Sequence, residues 1–571
     1  MVHEHRRRIA SAALVAFALW AGACGDDNTD SGGKSNGSKA AAAGRLLDIA
    51  VTPRDQVKDG GTLRWPLDQF STQWNYNQLD GTTTATDDVA KALIPYIYDY
   101  DENANVTPDP DYLTSAEVSN SSGKQVVTLK INPKAKWSNG RAITWEDFQT
   151  QWKALRSADN GFTISSSTGY ERVGSVEKGA DDQEVVVTFD KPFGEWKSLF
   201  NPLYPKEAQD TPAHFNKSYA NDIPITAGPF KVDKLNKSEQ SLRIVRDPKW
   251  WGEPAKLDAI AYTSPEYDAQ VNAFANGEVD RVNLPADASS YKRAAGAATG
   301  EVRTAGGPDF RHFTINGTSP LLKDLAVRQA LSQAINRQAI AKSDLTGLNW
   351  PSEPMNNHFF VNTQEGYVDN SGDVGKFDPE AAKTKLDAAG WKLDGTYRKK
   401  DGKTLKLRFV IPSGIAVSRQ EGELTQAMLR DVGIQLEIKA VPSDDFFDKY
   451  VNIGNFDITP FSWIGTPFPI SSAKSIYINP TKDKKGELVI QQNYARVGSP
   501  QIDKLMTSAE EEVDLTKARD EINQADKLIW DEVHSLVMFQ RPQNVAVTKT
   551  LVNIGAFGFK SPAYEDMGFK K

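Results

Sequence analysis

The chain has 571 residues, with 67 Lys and Arg against 75 Asp and Glu, for a formal charge of −8. That mild acidity argues against a nucleic-acid partner, whose phosphates need a concentrated basic face. A single cysteine, Cys24, excludes an intramolecular disulfide, a thiolate metal cluster and CxxC redox chemistry.

The first element is a basic start (Arg6, Arg7, Arg8), an apolar run over 9–20, and Ala21-Gly22-Ala23 leading into Cys24. A charged region, a short apolar region and small residues before a cut read as an export signal over 1–23. The apolar segment is short of the ~20 residues that cross a bilayer core. With cysteine first after the cut, the pattern resembles a bacterial lipoprotein signal, in which Cys24 is lipidated. Ala21 stands where Leu or Val is usual, so an ordinary signal peptide and an uncleaved anchor are the alternatives. Residues 24–58 follow as a lipidated Cys and flexible linker of Asp, Asn, Gly, Ser and Ala, with little to bury.

From Gly60 onward the pattern alternates between strand and helix. Strands are predicted over 62–65, 125–131, 184–189, 242–245, 404–411 and 435–440. Helices are predicted over 144–154, 324–342, 379–389, 418–431 and 515–533. Asp378-Pro379 supplies an N-cap and an N1 proline, and Gly390 ends that helix. Thr144 and Asp147 form a capping-box pattern after the Asn139-Gly140 turn. The composition of elements is mixed α/β.

Several segments carry a resemblance when taken in order. They are Lys136-Trp137-Ser138-Asn139-Gly140-Arg141-Ala142-Ile143-Thr144-Trp145-Glu146-Asp147-Phe148, then Ala227-Gly228-Pro229-Phe230, then Arg246-Asp247-Pro248-Lys249-Trp250-Trp251. Further on come Asn276-Gly277-Glu278-Val279-Asp280, Val327-Arg328-Gln329-Ala330-Leu331, Asp378-Pro379-Glu380-Ala381-Ala382 and Gly454-Asn455-Phe456-Asp457. Spread from Gly60 to about Gly555, they resemble the bacterial extracellular solute-binding proteins of family 5, the oligopeptide- and dipeptide-type ABC importer subunits. Trp145 departs from the family's usual alanine. Most of these residues set turns and caps, so they diagnose a fold and say little about a ligand.

The resemblance implies an α/β, two-lobed, periplasmic-binding-protein-like (type II) fold with an extra inserted subdomain. Lobe I would hold 59–101, 221–307 and 541–571, the inserted subdomain 102–220, and lobe II 308–540. Such proteins close over a ligand held between the lobes. The implied partners are a peptide or peptide-like solute, the permease and ATPase subunits of an ABC importer, and the membrane through the lipid. A monomer on the outer face of the cell membrane is expected, with no cofactor, no resident metal and no enzymatic activity. The rival expectation is a same-fold envelope regulatory or signalling lipoprotein with an altered or absent ligand.

In peptide-binding relatives a loop after the segment matching Phe456-Asp457 carries an aspartate that pairs with the peptide's α-amino group. Here the loop reads Trp463-Ile464-Gly465-Thr466-Pro467-Phe468, and Thr466 occupies the carboxylate position. A threonine hydroxyl accepts a hydrogen bond without charge, so the ion pair is absent there. Either Asp444, Asp445 or Asp448 replaces it, or the ligand brings no free ammonium. The candidate ligand residues are Trp463, Ile464, Gly465, Thr466 and Phe468 with Ser471 and Ser472, and from the facing lobe Thr82, Thr83, Thr84 and Tyr170. The alternative places Trp463 and Phe468 in the core.

Enzyme-like matches lack their context. Ser471-Ser472-Ala473-Lys474 and Ser121-Ser122-Gly123-Lys124 are formal SxxK matches without a KTG partner, and the GxSxG match over 33–37 sits in the linker. His214, His312, His358 and His534 are far apart in sequence and in no metal-binding spacing.

Overall fold

The structure, a computed structural model, describes residues 45–120, 123–157, 161–285, 287–482 and 486–571. The expected signal segment, Cys24, the match over 33–37 and Ser121-Ser122 lie outside the described residues. Within them, no helix is long and apolar enough to cross a membrane.

Strand Thr62–Pro66 pairs in parallel with Ala259–Thr263, and Ser241–Arg246 and Phe230–Asn236 complete this four-stranded sheet by antiparallel pairing. Leu63, Trp65, Ile244, Ile260 and Tyr262 bury one continuous core beneath it, closed by helix Thr84–Leu93. The inserted unit is an antiparallel sheet in the order Leu113–Ser119, Val126–Ile131, Glu184–Phe189, Val173–Lys178. Glu184–Phe189 alternates half-buried and buried residues, as a strand packed on one face requires. Helix Trp145–Leu155 covers that sheet, starting where Asp147 accepts the Thr144 N–H at 3.0 Å. Asp147 is then forked by Arg141 at 2.7 and 2.9 Å, so the most specific sequence motif is scaffold.

The inserted unit is bonded to the first lobe. Tyr204 donates to the Trp74 carbonyl at 2.8 Å, Gln73 to Asn216, and the Leu203 N–H to the Pro95 carbonyl. These bonds join the two into one body.

The largest sheet has six strands in the order Arg281–Leu284, Ser535–Thr548, Gly300–Ile315, Ile458–Trp463, Lys406–Pro412, Gln435–Val441. Its two long strands serve both lobes. Ala305 and Val545 belong to the first lobe's core, whereas Phe310 and Phe539 belong to the second. Between them the pairing slips: Gly306 faces Pro542 and Phe310 faces Gln540, so three residues oppose one. A bulge bends and twists a ladder, and Pro308 and Pro542 remove donors from it. The crossing at 306–310 and 540–543 is thus where the two cores meet on shared strands.

Two sequence expectations are corrected. Residues 45–58 are not free linker. The Gly306 N–H donates to the Arg45 carbonyl at 2.8 Å, the Thr304 N–H to Asp48 at 3.0 Å, and Val57 is fully buried. Apolar Ile49 and Val57, sparse in a polar stretch, gave too weak a periodic signal to outweigh its composition. The helix expected over 324–342 is two, Leu325–Ala334 and Arg337–Leu345, because Ile335 turns extended and Asn336 caps the second through the Ala339 N–H. The helix at 379–389 forms as Pro379–Ala388, with Asp378 accepting the Ala381 N–H.

Candidate functional site

The loop of interest leaves the second lobe's sheet at Trp463, which faces Phe310 across the ladder. Trp463 is 6% exposed. Its ring lies parallel to Tyr494 at 5.8 Å and to His312 at 5.6 Å. Most of the indole is therefore core, while its remaining edge lines a cavity of about 20 Å³ with Phe310, Gln364, Thr466 and Ser472. That is room for about one water.

Gly465 crosses the backbone of Pro308 so closely that a Cβ would sit 2.3 Å from its carbonyl oxygen. Burial pushes the Asp309 carboxyl upward, opposed by the Arg541 charge and by the nearby Gly465 N–H. Arg541 stands 3.9 Å from Asp309, and both side chains are about one-third exposed, at 33% and 31%. Thr466 accepts the Phe468 N–H at 3.0 Å, so its hydroxyl shapes its own loop. Ile464 is exposed, and Phe468 meets Tyr100 of the opposite body edge to face at 5.9 Å.

Beyond the loop, Pro469 opens helix Pro469–Tyr477, and its first turn is capped from the other body. Glu195 of the inserted unit, 7% exposed, accepts the Ile470 N–H at 3.1 Å, the Ser471 N–H at 2.7 Å and the Ser471 hydroxyl. A carboxylate at a helix N-terminus satisfies orphan donors and the helix dipole together. Burial nevertheless raises the Glu195 carboxyl to about 7. Beside it the Gly194 N–H donates to the Glu510 carbonyl at 2.8 Å, and Arg172 pairs with Glu510 and with Glu511. Lys474 also pairs with Glu510. The serine and lysine of the SxxK match are thus both committed to carboxylates, an arrangement that activates no nucleophile.

Three candidates on the facing body are placed differently than expected. Thr83 caps helix Thr84–Leu93 by accepting the Thr86 N–H at 3.1 Å, and its hydroxyl donates to Thr86. Thr82 donates to the Tyr76 carbonyl at 2.7 Å. Tyr170, 7% exposed, lies in the inserted unit's core, where its oxygen accepts the Phe200 N–H and the Gln151 amide. Hydroxyls that looked free in the sequence are used locally, because Thr and Tyr satisfy nearby backbone whenever a turn presents it. Asp445 pairs with Lys449 on its own turn at 2.7 Å, and Asp448 meets Asn452. Of Asp444, no side chain is described.

Sequence reasoning missed Tyr100, Glu195, Asp309 and Arg541 at the meeting of the two bodies. Nothing local marks them. It also read the histidines as scattered, yet His358 and His534 flank Tyr477 at 5.5 and 4.9 Å, and His312 stacks on Trp463. Burial holds His312 well below the usual imidazole range and His534 at about 3, and His358 lies against Asp526 at 2.7 Å. Among the described residues no group of three or more His, Cys, Asp or Glu side chains is arranged to hold a metal.

This architecture has close counterparts. The sequence pattern of bacterial extracellular solute-binding proteins, family 5 (middle region), matches residues 107–484. The chain belongs to that family. Its members bind substrates for transport and carry out no chemistry on them. The chain is 38% identical over 537 residues to the oligopeptide-binding protein OppA of Mycobacterium tuberculosis, covering 93% of this chain and 89% of the relative. Among solved structures, the periplasmic EDTA-binding protein EppA superposes with a TM-score of 0.83 at 23% identity, over 92% of this chain and 98% of that one. The oligopeptide-binding protein AppA of Bacillus subtilis, solved with a nonapeptide, superposes with a TM-score of 0.71 at 21% identity, over 90% and 100%. Both share the two-lobed fold.

Proposed function

We propose that this family member is the lipid-anchored substrate-binding subunit of an ABC importer, capturing a peptide or peptide-like solute between its lobes and delivering it to a permease. The observation that carries the reading is the 38% identity to an oligopeptide-binding protein along nearly the whole chain. Two separate cores joined at a bulged strand crossing give the motion such capture needs. Cys24, behind its basic and apolar leader, is the proposed lipidation site. The anchor would keep a monomeric binder on the outer face of the membrane, beside permease and ATPase subunits that supply the energy.

A second reading, a same-fold envelope regulatory or signalling lipoprotein, draws on the small cavity beneath Trp463 and the uncharged Thr466. Native mass spectrometry of the full chain against a pool of peptides of two to nine residues separates them. Retained peptides support capture. A chain that retains none across the pool supports the regulator.

A further inference from the structure

Away from the Trp463 loop, a pocket of about 350 Å³ lies where the inserted unit meets the first lobe. Pro133, Lys134 and Lys136 line it from the inserted unit, and Lys249 and Trp251 from the first lobe. Local chemistry fixes both walls. On one, Asn132 accepts the Lys134 N–H at 2.9 Å, and Lys136 pairs across a short hairpin with Ala142. On the other, Asp247 accepts the Lys249 N–H at 3.0 Å, and the Trp251 Nε1–H donates to the Asp111 carbonyl at 2.8 Å. With its one donor used, the half-buried indole has only its carbon surface to offer the pocket. Gly140, also in the lining, has no atom within 4 Å of where a Cβ would sit, so that side is open.

The charges around the pocket are unmatched. Elsewhere in the inserted unit Lys124, Arg141, Lys178 and Lys206 each pair with a carboxylate. Among the described residues Lys134, Lys136 and Lys249 form no ion pair, and the Lys134 charge reaches Asp111 without contact. In a chain of formal charge −8, three unpaired ammonium groups around one concavity concentrate positive potential. A carboxylate would answer one of them. A phosphate monoester carries about −1.5 to −2 charges at neutral pH and three acceptor oxygens, which matches the set.

We propose that this pocket binds a phosphate monoester carried on a sugar or cyclic polyol, its phosphate among Lys134, Lys136 and Lys249 and the C–H face of its ring on Trp251. Lysines suit the role, because an ammonium on a long stem meets a phosphate as a point charge without a fixed geometry. The ring supplies apolar surface to an indole whose polar edge is already committed. The same chemistry arrives from two sources, a soluble sugar phosphate or the phosphorylated headgroup of an inositol lipid. Neither involves the ligand held between the lobes.

The test uses the full chain. Titration calorimetry compares inositol monophosphate with inorganic phosphate, and co-sedimentation compares phosphatidylcholine vesicles with and without phosphatidylinositol monophosphate. Inositol monophosphate is expected to bind more tightly than inorganic phosphate and to weaken as salt rises. Binding to the phosphorylated vesicles alone supports the pocket with the lipid headgroup as its source. Lys136→Ala should weaken binding about fivefold, and Lys134→Ala, Lys136→Ala and Lys249→Ala together on the order of 100-fold. The melting temperature should not change, since these ammonium groups hold no carboxylate in the fold. Trp251→Leu should abolish the preference for inositol monophosphate over inorganic phosphate. No binding in either arm, or binding that survives removal of the lysines, overturns the proposal. A ring preference that survives Trp251→Leu overturns the seat assigned to the ring.

Discussion

Replacing Glu195 by alanine removes one of the contacts through which the inserted unit grips the second lobe. In the structure its carboxyl accepts two backbone N–H groups and one hydroxyl from the first turn of helix Pro469–Tyr477. Hydrogen bonds to charged groups contribute about 1.5–3 kcal/mol each and an N-cap about 1 kcal/mol. Two offsets reduce that sum: the freed donors regain water when the lobes part, and burial leaves the carboxyl only partly ionised near pH 7. A net loss of roughly 2–3 kcal/mol follows, which moves the closed-to-open ratio by about 30- to 150-fold. Hydrogen exchange of the unliganded chain measures this at Ile470 and Ser471, and small-angle scattering reports the accompanying expansion. Because the grip is shared with Gly194, Arg172 and Glu510, amides near 194 and 510–512 should speed up as well. Faster exchange confined to Ile470 and Ser471, with unchanged dimensions, would refute the reasoning and leave Glu195 as a static cap.

Glu195 also sets a pH dependence. Its folded value of about 7 lies above the ordinary 4.5, so the closed state holds the proton more tightly than the open one. Closure is therefore strongest below about 4.5 and weakens as pH rises through 7, by at most about 3 kcal/mol. Glu195→Gln should flatten that profile. The opposite slope is expected of His534, held at about 3 against 6.5. The unfolded chain binds its proton first, so acidification from 6.5 towards 3 lowers folding stability, by about 5 kcal/mol at most, as denaturant titrations at several pH values would read. Trp463→Ala should cost about 3–5 kcal/mol in the same assay, since it empties a stacked site between His312 and Tyr494; a loss under 1 kcal/mol would return Trp463 to the role of a surface contact. Gly465→Ala places a methyl 2.3 Å from the Pro308 carbonyl oxygen, so the loop must lift off Pro308. Ligand affinity should fall at least tenfold with little change in melting temperature, whereas wild-type affinity would show the close approach to be dispensable.

Local chemistry is what the sequence determined by itself. Asp378 with Pro379, and Thr144 with Asp147, fixed helix starts because a cap and its donor lie three residues apart. The ordered turn and cap motifs were enough for the family, and the family for two lobes with an insertion. Nothing in the sequence says that Pro308, 157 positions before Gly465, lies against it. Glu195 and Ser471 are 276 residues apart, and His358 and His534 reach the two sides of one tyrosine from different elements. The candidate hydroxyls of Thr83 and Tyr170 show the complementary limit: exposure is not a property of a residue type, and both accept nearby backbone N–H groups. Periodicity and caps act within a turn or two of chain and so are written in order along it. Which charges meet across the cleft depends on how a bulged crossing sets two cores against each other, and only the tertiary structure decided that.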